Sequence, residues 1–347
     1  MSYLSVYTDD IDCVGPDGGV LEEIFQTMNA IWPSREVDSG FMLGIKREFF
    51  EEGGIKKVRM SQPDFIEAAF DEFSCYTNPY LQDRKKLPST PLPPGILISK
   101  LNAGKDEEEI KAVQDMGYMS LCGKLIWACR GSFPETAFAV SQVCKLMSCP
   151  SFKVFELGIQ VLAYMYKVRH RGIVFRSDGN PEPIILSDAS FKIDPFFGKT
   201  QYGTHVLLYG GPIIVVSKKI PHVSLSTPHA ELCAMNYAAR TGAWLSNIFT
   251  EIGLPIKSKI LLLGDNSVAI LNATKDIISE KNKYVQLSYY YVRERGEFLE
   301  ICHLGSPKLL ADLHTKAVAP QTLSDLIGYA TGTASEPFRF KRPKEFK

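Results

Sequence analysis

The order of apolar patterns after residue 171 is the feature that most limits how this chain can fold. Short apolar segments typical of strands alternate there with stretches of helical spacing, and Gly210-Gly211 marks a hairpin turn. Strands are predicted at residues 172–175, 183–186, 203–209, 213–216, 260–263 and 298–303. Helices are predicted from Thr227, Asn266 and Ser306. This order is typical of an α/β fold.

The first half of the chain has a different pattern. Residues 3–7 are β-branched and aromatic and predict a strand, and with nothing before it we expect a sheet that has been cut. A helix is predicted at 19–31, a strand pair at 40–47 and 54–60, and a helix from residue 61. Residues 106–170 carry apolar stripes at helical spacing at 118–128, 134–146 and 152–168.

A proline-rich segment separates these regions. Residues 77–97 contain Pro79, Pro88, Pro91, Pro93 and Pro94, so neither a helix nor a central strand is expected there. The sequence predicts a mixed α/β chain in five parts. These are a first region at 1–76, a linker at 77–105, a helical region at 106–170, an α/β domain at 171–320, and a basic, flexible tail at 321–347.

Composition excludes several classes of protein. The 39 basic residues balance the 39 acidic residues, so binding of nucleic acid by bulk charge alone is not expected. The apolar runs are much shorter than the roughly 20 residues that span a bilayer, and no secretory leader opens the chain. The eight cysteines include no C-x-x-C pair, and we expect reduced thiols in an intracellular protein, in the cytoplasm or the nucleus.

Four carboxylates in the second half hold positions where chemistry is expected. Asp188 follows the predicted strand at 183–186, and Asp265 follows the strand at 260–263. Glu231 lies in the first turns of the helix from Thr227, and Asp312 lies beside the apolar stripe of the helix from Ser306. Because ligands gather at the carboxyl ends of strands in such sheets, these acids could bind Mg²⁺ or Mn²⁺ together.

Each acid also has an interpretation without chemistry. Asp188 could be a turn residue, and Asp265 could cap the helix that follows it. Glu231 could favour the helix dipole, and Asp312 could pair with Lys308 on the helix surface. Taken singly, each acid favours these interpretations, and only the combination favours a metal site.

Four blocks that contain these acids carry a resemblance. The blocks are Ser187-Asp188-Ala189-Ser190, Leu225-Ser226-Thr227-Pro228-His229-Ala230-Glu231-Leu232, Gly264-Asp265-Asn266-Ser267-Val268-Ala269-Ile270 and Leu310-Ala311-Asp312-Leu313-His314-Thr315-Lys316. In this order they resemble the ribonuclease H domain of copia-type retrotransposon Pol polyproteins. Tyr7-Thr8-Asp9-Asp10 resembles the Y-x-D-D turn of the reverse transcriptase in the same polyproteins, so the resemblance covers residues 3–318.

The resemblance implies a fold for each part of the chain. It implies a partial reverse-transcriptase palm and the start of a thumb over residues 1–76 and a helical thumb or connection over 106–170. It implies a ribonuclease H-like mixed five-stranded sheet with flanking helices over 171–320.

The resemblance also implies an activity. It implies metal-dependent endonucleolytic cleavage of the RNA strand of RNA–DNA hybrids, with two Mg²⁺ or Mn²⁺ ions and no organic cofactor. Asp188, Glu231, Asp265 and Asp312 match the catalytic, metal-binding acids, and Asn266, Lys283 and His314 are the expected substrate contacts. Asp9 and Asp10 match the metal-binding acids of the polymerase site. The expected partner is an RNA–DNA hybrid, without a membrane.

Two departures from the family pattern qualify these expectations. The palm is incomplete, so polymerisation by this chain alone is not expected, and Asp9 and Asp10 are expected as a remnant of the metal site, with Asp12 a solvated turn acid. A subunit that supplies the missing palm and fingers, or self-association through the open palm edge, would then be a partner. Tyr284 and Gln286 stand where the family usually has His and Asp. The alternative function is a catalytically silent remnant that at most binds nucleic acid.

Overall fold

Three sheets and the helices around them form a mixed α/β structure over the part of the chain that the computed structural model describes, residues 2–8, 10–15, 18–37, 40–191, 200–274 and 291–341. The predicted α/β class is confirmed, and so is the five-stranded mixed sheet in the second half. Among the described residues, no helix is both long and apolar enough to cross a bilayer.

The first sheet is a hairpin of two strands. Strand β1 (Tyr3–Tyr7) pairs antiparallel with β2 (Asp10–Val14), and helix α1 (Gly18–Ile31) follows with no buried residue. Asp12 is not the solvated turn acid that the sequence predicts. It lies in β2, where the Arg47 guanidinium donates to both of its carboxylate oxygens, at 2.5 and 3.3 Å.

The second sheet has four antiparallel strands. Their order is β3 (Phe41–Met42), β4 (Ile45–Glu52), β5 (Ile55–Ser61) and β6 (Ile173–Arg176). The last strand, β6, comes after the predicted domain boundary at residue 171, yet it pairs with β5, with Ile173 opposite Met60. This sheet therefore joins chain segments on both sides of that boundary.

The chain between β5 and β6 forms six helices, which pack around one apolar core. Ser151 begins α7 by accepting a hydrogen bond from the Val154 amide, which satisfies one of the free N–H groups of the first turn. Phe70 and Tyr166 stack across the core with ring centroids 4.0 Å apart. The helices are α2 (Pro63–Glu72), α3 (Ser74–Gln82), α4 (Glu107–Asp115), α5 (Tyr118–Gly131), α6 (Ala137–Val143) and α7 (Phe152–Lys167).

Helix α3 corrects the expectation that no helix enters residues 77–97. It continues through Pro79 to Gln82, although proline removes one hydrogen bond of the helix ladder. Tertiary contacts hold it: the buried Thr77 hydroxyl donates to the Phe70 carbonyl at 2.8 Å, and Tyr76 packs edge-on against Phe155. Packing therefore overrides the local preference of proline.

The rest of the predicted linker packs against its surroundings. Thr90, Leu92 and Ile98 are buried, and Leu92 and Ile98 belong to the core of the helical region. The Gly95 amide donates to the Ala317 carbonyl at 3.2 Å, which ties this segment to the second half of the chain.

The third sheet has five strands in the order β11-β10-β7-β8-β9. The strands are β7 (Ile184–Ser190), β8 (Gln201–Leu208), β9 (Gly211–Lys219), β10 (Ile260–Gly264) and β11 (Leu299–His303). β7, β8 and β9 are antiparallel neighbours, whereas β10 runs parallel to both β7 and β11. The carboxyl ends of β7, β10 and β11 therefore meet at one edge of the sheet.

Both faces of this sheet are covered because alternate side chains point to opposite faces. Ile185, Val206 and Leu262 pack towards α8 (Thr227–Glu251) and α9 (Ser267–Thr274). Residues of the opposite parity form a second core with Tyr164 of α7 and with α10 (Pro320–Thr331). The second core includes Ile184, Leu186, Leu207 and Leu263.

The last segment differs from the sequence prediction in two ways. No α-helix begins at Ser306. The chain instead forms two short 3₁₀ turns, Ser306–Lys308 and Leu310–His314. Residues 321–331, predicted as part of a flexible tail, lie in α10, which Pro320 begins. Leu323 and Leu326 are buried on α10, so burial of its apolar face accounts for the helix.

Candidate active site

Three of the four predicted acids converge at the edge of the five-stranded sheet. One carboxylate oxygen from each of Asp188, Glu231 and Asp265 lies within 4.8 Å of the other two. Asp188 lies near the end of β7, and Asp265 directly follows the parallel strand β10. Because these strands pair in register at Leu186 and Leu263, their carboxyl ends bring the two acids together.

Asp188 is buried, with 5% of its surface exposed. Burial and the negative charge of Asp312 raise the pKa of Asp188 to about 7. The Thr315 hydroxyl donates a hydrogen bond to Oδ2 of Asp188 and, together with the charge of Lys316, opposes this rise. The Asp188 carboxyl group is therefore held in position by Thr315, and it can gain or lose a proton near neutral pH.

Glu231 reaches the same edge from helix α8. It is 5% exposed, and the Ser226 hydroxyl caps the helix by accepting from the His229 amide at 3.3 Å. Burial, followed by the charges of Asp188 and Asp265, raises the pKa of Glu231 to about 9. Several acids are thus crowded into a poorly solvated place at this edge of the sheet.

Asp265 does not cap helix α9. The cap is the next residue, because Oδ1 of Asn266 accepts from the Ala269 amide at 2.9 Å. The Asp265 carboxylate accepts instead from the Ser306 hydroxyl at 2.6 Å, and the Asp265 carbonyl accepts from Nε2 of His303 at 2.9 Å. The capping interpretation of Asp265 is therefore wrong, and its carboxylate is available to the site.

Asp312 lies beside the three converging acids without joining their group. It is 7% exposed, on the 3₁₀ turn Leu310–His314, and its charge contributes to the raised pKa of Asp188. Its partner is Lys316, whose Nζ lies 2.8 Å from Oδ2 of Asp312, and not Lys308. The turn thus supplies a further negative charge, and Lys316, just after the turn, is its counter-ion.

A glycine allows this turn to approach the sheet. Gly203 of β8 lies opposite Asp188 in the β7–β8 pairing. A Cβ atom on Gly203 would lie 2.8 Å from the Ala311 carbonyl oxygen and 2.8 Å from Cβ of His314. The turn that carries Asp312 and Thr315 can pack here only because residue 203 has no side chain.

His314 cannot contact a substrate as the sequence predicts. It has no exposed surface, and its ring stacks on His205 with Nε2 of His314 2.8 Å from Nδ1 of His205. Burial lowers the pKa of His205 to about 3 and that of His314 well below its usual range, so both rings are neutral. His314 is a core residue whose carbonyl accepts from the Ser217 hydroxyl at 2.6 Å.

The other predicted site residues lie elsewhere. Asp10 is exposed at the start of β2 and does not belong to the acidic cluster that the described residues form. Asp9, Lys283, Tyr284 and Gln286 lie outside the described residues. Asn266 adjoins the site, and its side-chain oxygen is engaged in the helix cap.

Three positioning groups were missed by reasoning from sequence. Thr315, Lys316 and Ser306 each contact one of the acids. Lys316 had a detectable signal, since it is four residues after Asp312 and could reach it on a helical turn. Thr315 and Ser306 contact acids that are distant in the sequence, so no local pattern predicts them.

Relatives of the chain are retrotransposon polyproteins. It is 26% identical over 320 residues to the retrovirus-related Pol polyprotein from transposon TNT 1-94 of Nicotiana tabacum, covering 91% of this chain and 23% of that protein. It is 21% identical over 320 residues to the retrovirus-related Pol polyprotein from transposon RE1 of Arabidopsis thaliana, covering 91% and 21%. The chain thus spans about a fifth of the length of these relatives. The predicted resemblance to retrotransposon Pol polyproteins is confirmed.

A solved structure is also similar to part of the chain. LC11-RNase H1, isolated from compost by a metagenomic approach, has 15% sequence identity and a TM-score of 0.32, covering 39% of this chain and 93% of that one. No protein-family model matches the chain.

Proposed function

We propose that this homologue of retrotransposon Pol polyproteins is a metal-dependent ribonuclease H that cleaves the RNA strand of RNA–DNA hybrids. The observation that carries the proposal is the convergence of Asp188, Glu231 and Asp265 within 4.8 Å at one edge of the sheet. Grouping buried carboxylates is costly without a compensating cation. Helix capping does not account for Asp265, because Asn266 is the cap.

The donor set fits a hard divalent cation. It consists of carboxylate oxygens alone, the ligands that Mg²⁺ and Mn²⁺ prefer. The raised pKa values of Asp188 and Glu231 reflect their burial first and then the negative charge of the neighbouring acids. When bound, divalent ions would supply an activated water nucleophile and stabilise the departing 3′ oxygen of a phosphodiester.

The chain's own residues would hold the acids in position before an ion arrives. Thr315 fixes the Asp188 carboxylate and Ser306 fixes that of Asp265, each through a hydroxyl hydrogen bond. Lys316 neutralises Asp312, which limits the repulsion that Asp312 exerts on Asp188. Such supporting contacts reduce the rearrangement that ligand binding requires.

The choice of a hybrid as the proposed substrate rests on the resemblance of the four acid-bearing blocks to the ribonuclease H domain of copia-type Pol polyproteins. The 2′-hydroxyl groups and the shape of the duplex distinguish a hybrid from DNA. Asn266, beside Asp265, stays a candidate for contact with the substrate through its amide nitrogen, and contact by Lys283 stays a prediction.

Asp265→Asn is the first variant that tests this function. Cleavage of an end-labelled RNA–DNA hybrid with Mg²⁺ should fall by roughly 10²- to 10³-fold, the scale expected when a principal electrostatic contribution is lost. The melting temperature should hold or rise, since Asn266 still caps α9 and one of several like charges is removed. Cleavage is measured by gel electrophoresis, and the melting temperature is measured by thermal unfolding, for the wild type and the variant.

Asp71→Asn is a matched control for the loss of one negative charge. Asp71 is exposed on α2, away from the acidic cluster, so its variant should cleave like the wild type. Equal cleavage by wild type and Asp265→Asn would contradict the assignment. Wild-type protein that cleaves no hybrid at any concentration of Mg²⁺ or Mn²⁺ would instead support the catalytically silent remnant.

A further inference from the structure

A second group of ligand-forming side chains lies on the first turns of α8 and on the segment that precedes it. His222, His229 and Cys233 each offer one ligand atom, and these atoms all lie within 4.8 Å of one another. The group consists of nitrogen and sulfur donors, unlike the oxygen-only acidic site. Neither the proposed nuclease chemistry nor the packing of the sheet uses these three side chains together.

The helix itself sets two of the three positions. His229 and Cys233 are four residues apart on α8, so both side chains lie on the same face of the helix. The third member, His222, comes from the segment between β9 and α8. Residues that are two positions apart project about 200° apart around a helix, so Glu231 lies on a different side of α8.

The distances already approach those of a coordination shell. Nε2 of His222 lies 3.4 Å from Sγ of Cys233, and the rings of His222 and His229 are 5.9 Å apart. Ligand atoms around a tetrahedral zinc ion are about 3.5 Å apart, given metal–nitrogen and metal–sulfur bonds of about 2.0–2.3 Å. Because no two of the three ligand atoms are more than 4.8 Å apart, they would need to approach one another by about an ångström at most to reach this separation.

Access and burial suit an ion that enters from solvent. Cys233 is 2% exposed, His229 is half-buried and His222 is exposed, so the group is open on the His222 side. Nδ1 of His229 accepts from the Leu225 amide at 3.1 Å. Coordination through that nitrogen would release the amide to water, because Leu225 is 66% exposed.

We propose that His222, His229 and Cys233 form a zinc site, separate from the acidic site, that links the segment before α8 to the first turns of the helix. Two imidazoles and a thiolate are the ligands that Zn²⁺ prefers, and they bind Mg²⁺ poorly. Cys233 would bind as the thiolate, and its proton would pass to solvent. A water molecule would take the fourth position on the open side.

Titration of the full chain with Co²⁺, in saturating Mg²⁺, tests this site. Co²⁺ replaces Zn²⁺ in such sites, and a bound thiolate gives a charge-transfer absorption that carboxylate ligands do not give. One equivalent of Co²⁺ should produce this absorption, and one equivalent of Zn²⁺ should abolish it. Cys233→Ser should remove the absorption, and His222→Ala should weaken Co²⁺ binding at least tenfold. Because His222 is exposed, its replacement does not threaten the fold.

Two controls distinguish this site from binding of Co²⁺ elsewhere on the chain. Cys75→Ser replaces an exposed thiol on α3, and it should leave the absorption unchanged. Asp265→Asn alters the acidic site and should also leave it unchanged, so failure of the nuclease proposal does not affect this result. Binding that is equal in wild type and His222→Ala, an absorption that survives in Cys233→Ser, or no thiolate absorption in the wild type would overturn the proposal.

Discussion

The Thr315 hydroxyl is the smallest group on which the geometry of the acidic site depends. It donates to the Asp188 carboxylate and lies on a residue with no exposed surface. Thr315→Val keeps the shape of the side chain and removes this hydrogen bond. Cleavage should fall by about 10- to 100-fold, and the Mg²⁺ concentration for half-maximal cleavage should rise, as for other groups that orient metal ligands.

Thr315→Ser is the matched control because it retains the hydroxyl and loses only a methyl group. It should cleave within a few-fold of the wild type with an unchanged dependence on Mg²⁺. If Thr315→Val and Thr315→Ser lower the melting temperature equally and share the same dependence on Mg²⁺, the hydroxyl serves packing and does not position Asp188.

The raised pKa values of Asp188 and Glu231 predict how stability depends on pH. Their folded-state values of about 7 and about 9 lie above the roughly 3.9 and 4.3 of an unfolded chain. The folded state therefore holds protons that the unfolded state has released. Protonation of these acids supports the fold fully below about pH 4, and this contribution is lost as the pH rises towards about 9.

We therefore expect the melting temperature of the metal-free protein to fall as the pH rises across this window. Thermal unfolding in EDTA between about pH 5 and about pH 9 measures this slope. In Glu231→Gln the slope should be shallower, because the amide cannot ionise. Identical slopes in the wild type and Glu231→Gln would show that Glu231 does not titrate in this range.

At the scale of elements, an ion pair with a fully buried acid joins the segment after α7 to the turn before α6. Nη2 of Arg171, just after α7, donates to Oε1 of Glu135, in the short turn before α6. The Glu135 side chain has no exposed surface. Removing the cation alone would leave the buried Glu135 carboxylate without its counter-ion, so Arg171→Met should destabilise the protein by about 3–5 kcal/mol in urea unfolding.

The double variant Glu135→Gln, Arg171→Met provides the control for this prediction. It removes both charges, and it should recover most of the lost free energy of unfolding, because the pair also leaves Oε2 of Glu135 and Nε of Arg171 without partners among the described residues. A double variant as unstable as Arg171→Met would mean that the arginine contributes through packing alone.

Elements with a strong local pattern could be predicted from the sequence, and those fixed by distant contacts could not. The strand Ile260–Gly264 is apolar throughout, and this pattern predicts a strand that is covered on both faces of its sheet. By contrast, the sequence of β2, Asp10–Val14, is half polar, and only its pairing with β1 makes it a strand. Helix α3 contains Pro79, and only its packing on Phe155 explains why it forms.

The same limit applies to the candidate site. The four acid-bearing blocks in their order pointed to Asp188, Glu231, Asp265 and Asp312, and the first three converge. The contact between Thr315 and Asp188 spans 127 residues, and no local pattern encodes it. The prediction that His314 contacts the substrate is wrong because its side chain is buried. Its position two residues after an acid does not show that it faces a core, since only the fold creates that core.

At the scale of the whole molecule, the helical region and the five-stranded sheet share their cores. Tyr164 of α7 packs in the core beneath the sheet, the Gly95 amide donates to Ala317, and β6 continues the sheet of the first half. Few contacts cross the boundary between domains that unfold independently. We therefore expect the described residues between 40 and 341 to unfold in one cooperative transition.

The three tryptophans allow a direct test of this expectation. Trp127 lies on α5 in the helical region, and Trp244 lies on α8 beside the sheet. A variant with Trp32→Phe and Trp244→Phe keeps only Trp127 and reports on the helical region. A variant with Trp32→Phe and Trp127→Phe keeps only Trp244 and reports on the region of the five-stranded sheet. Urea unfolding followed by fluorescence should give one shared midpoint after correction for the stability of each variant by circular dichroism. Separate midpoints would show that the two regions unfold independently.

The close approach at Gly203 makes the site sensitive to genetic drift. Every amino-acid replacement that a single-nucleotide change can produce from a glycine codon introduces a Cβ atom. At this position that atom would lie 2.8 Å from the Ala311 carbonyl oxygen, on the turn that carries Asp312 and Thr315. A copy that is no longer under selection can therefore lose the arrangement of its acids through a codon that encodes no reactive group.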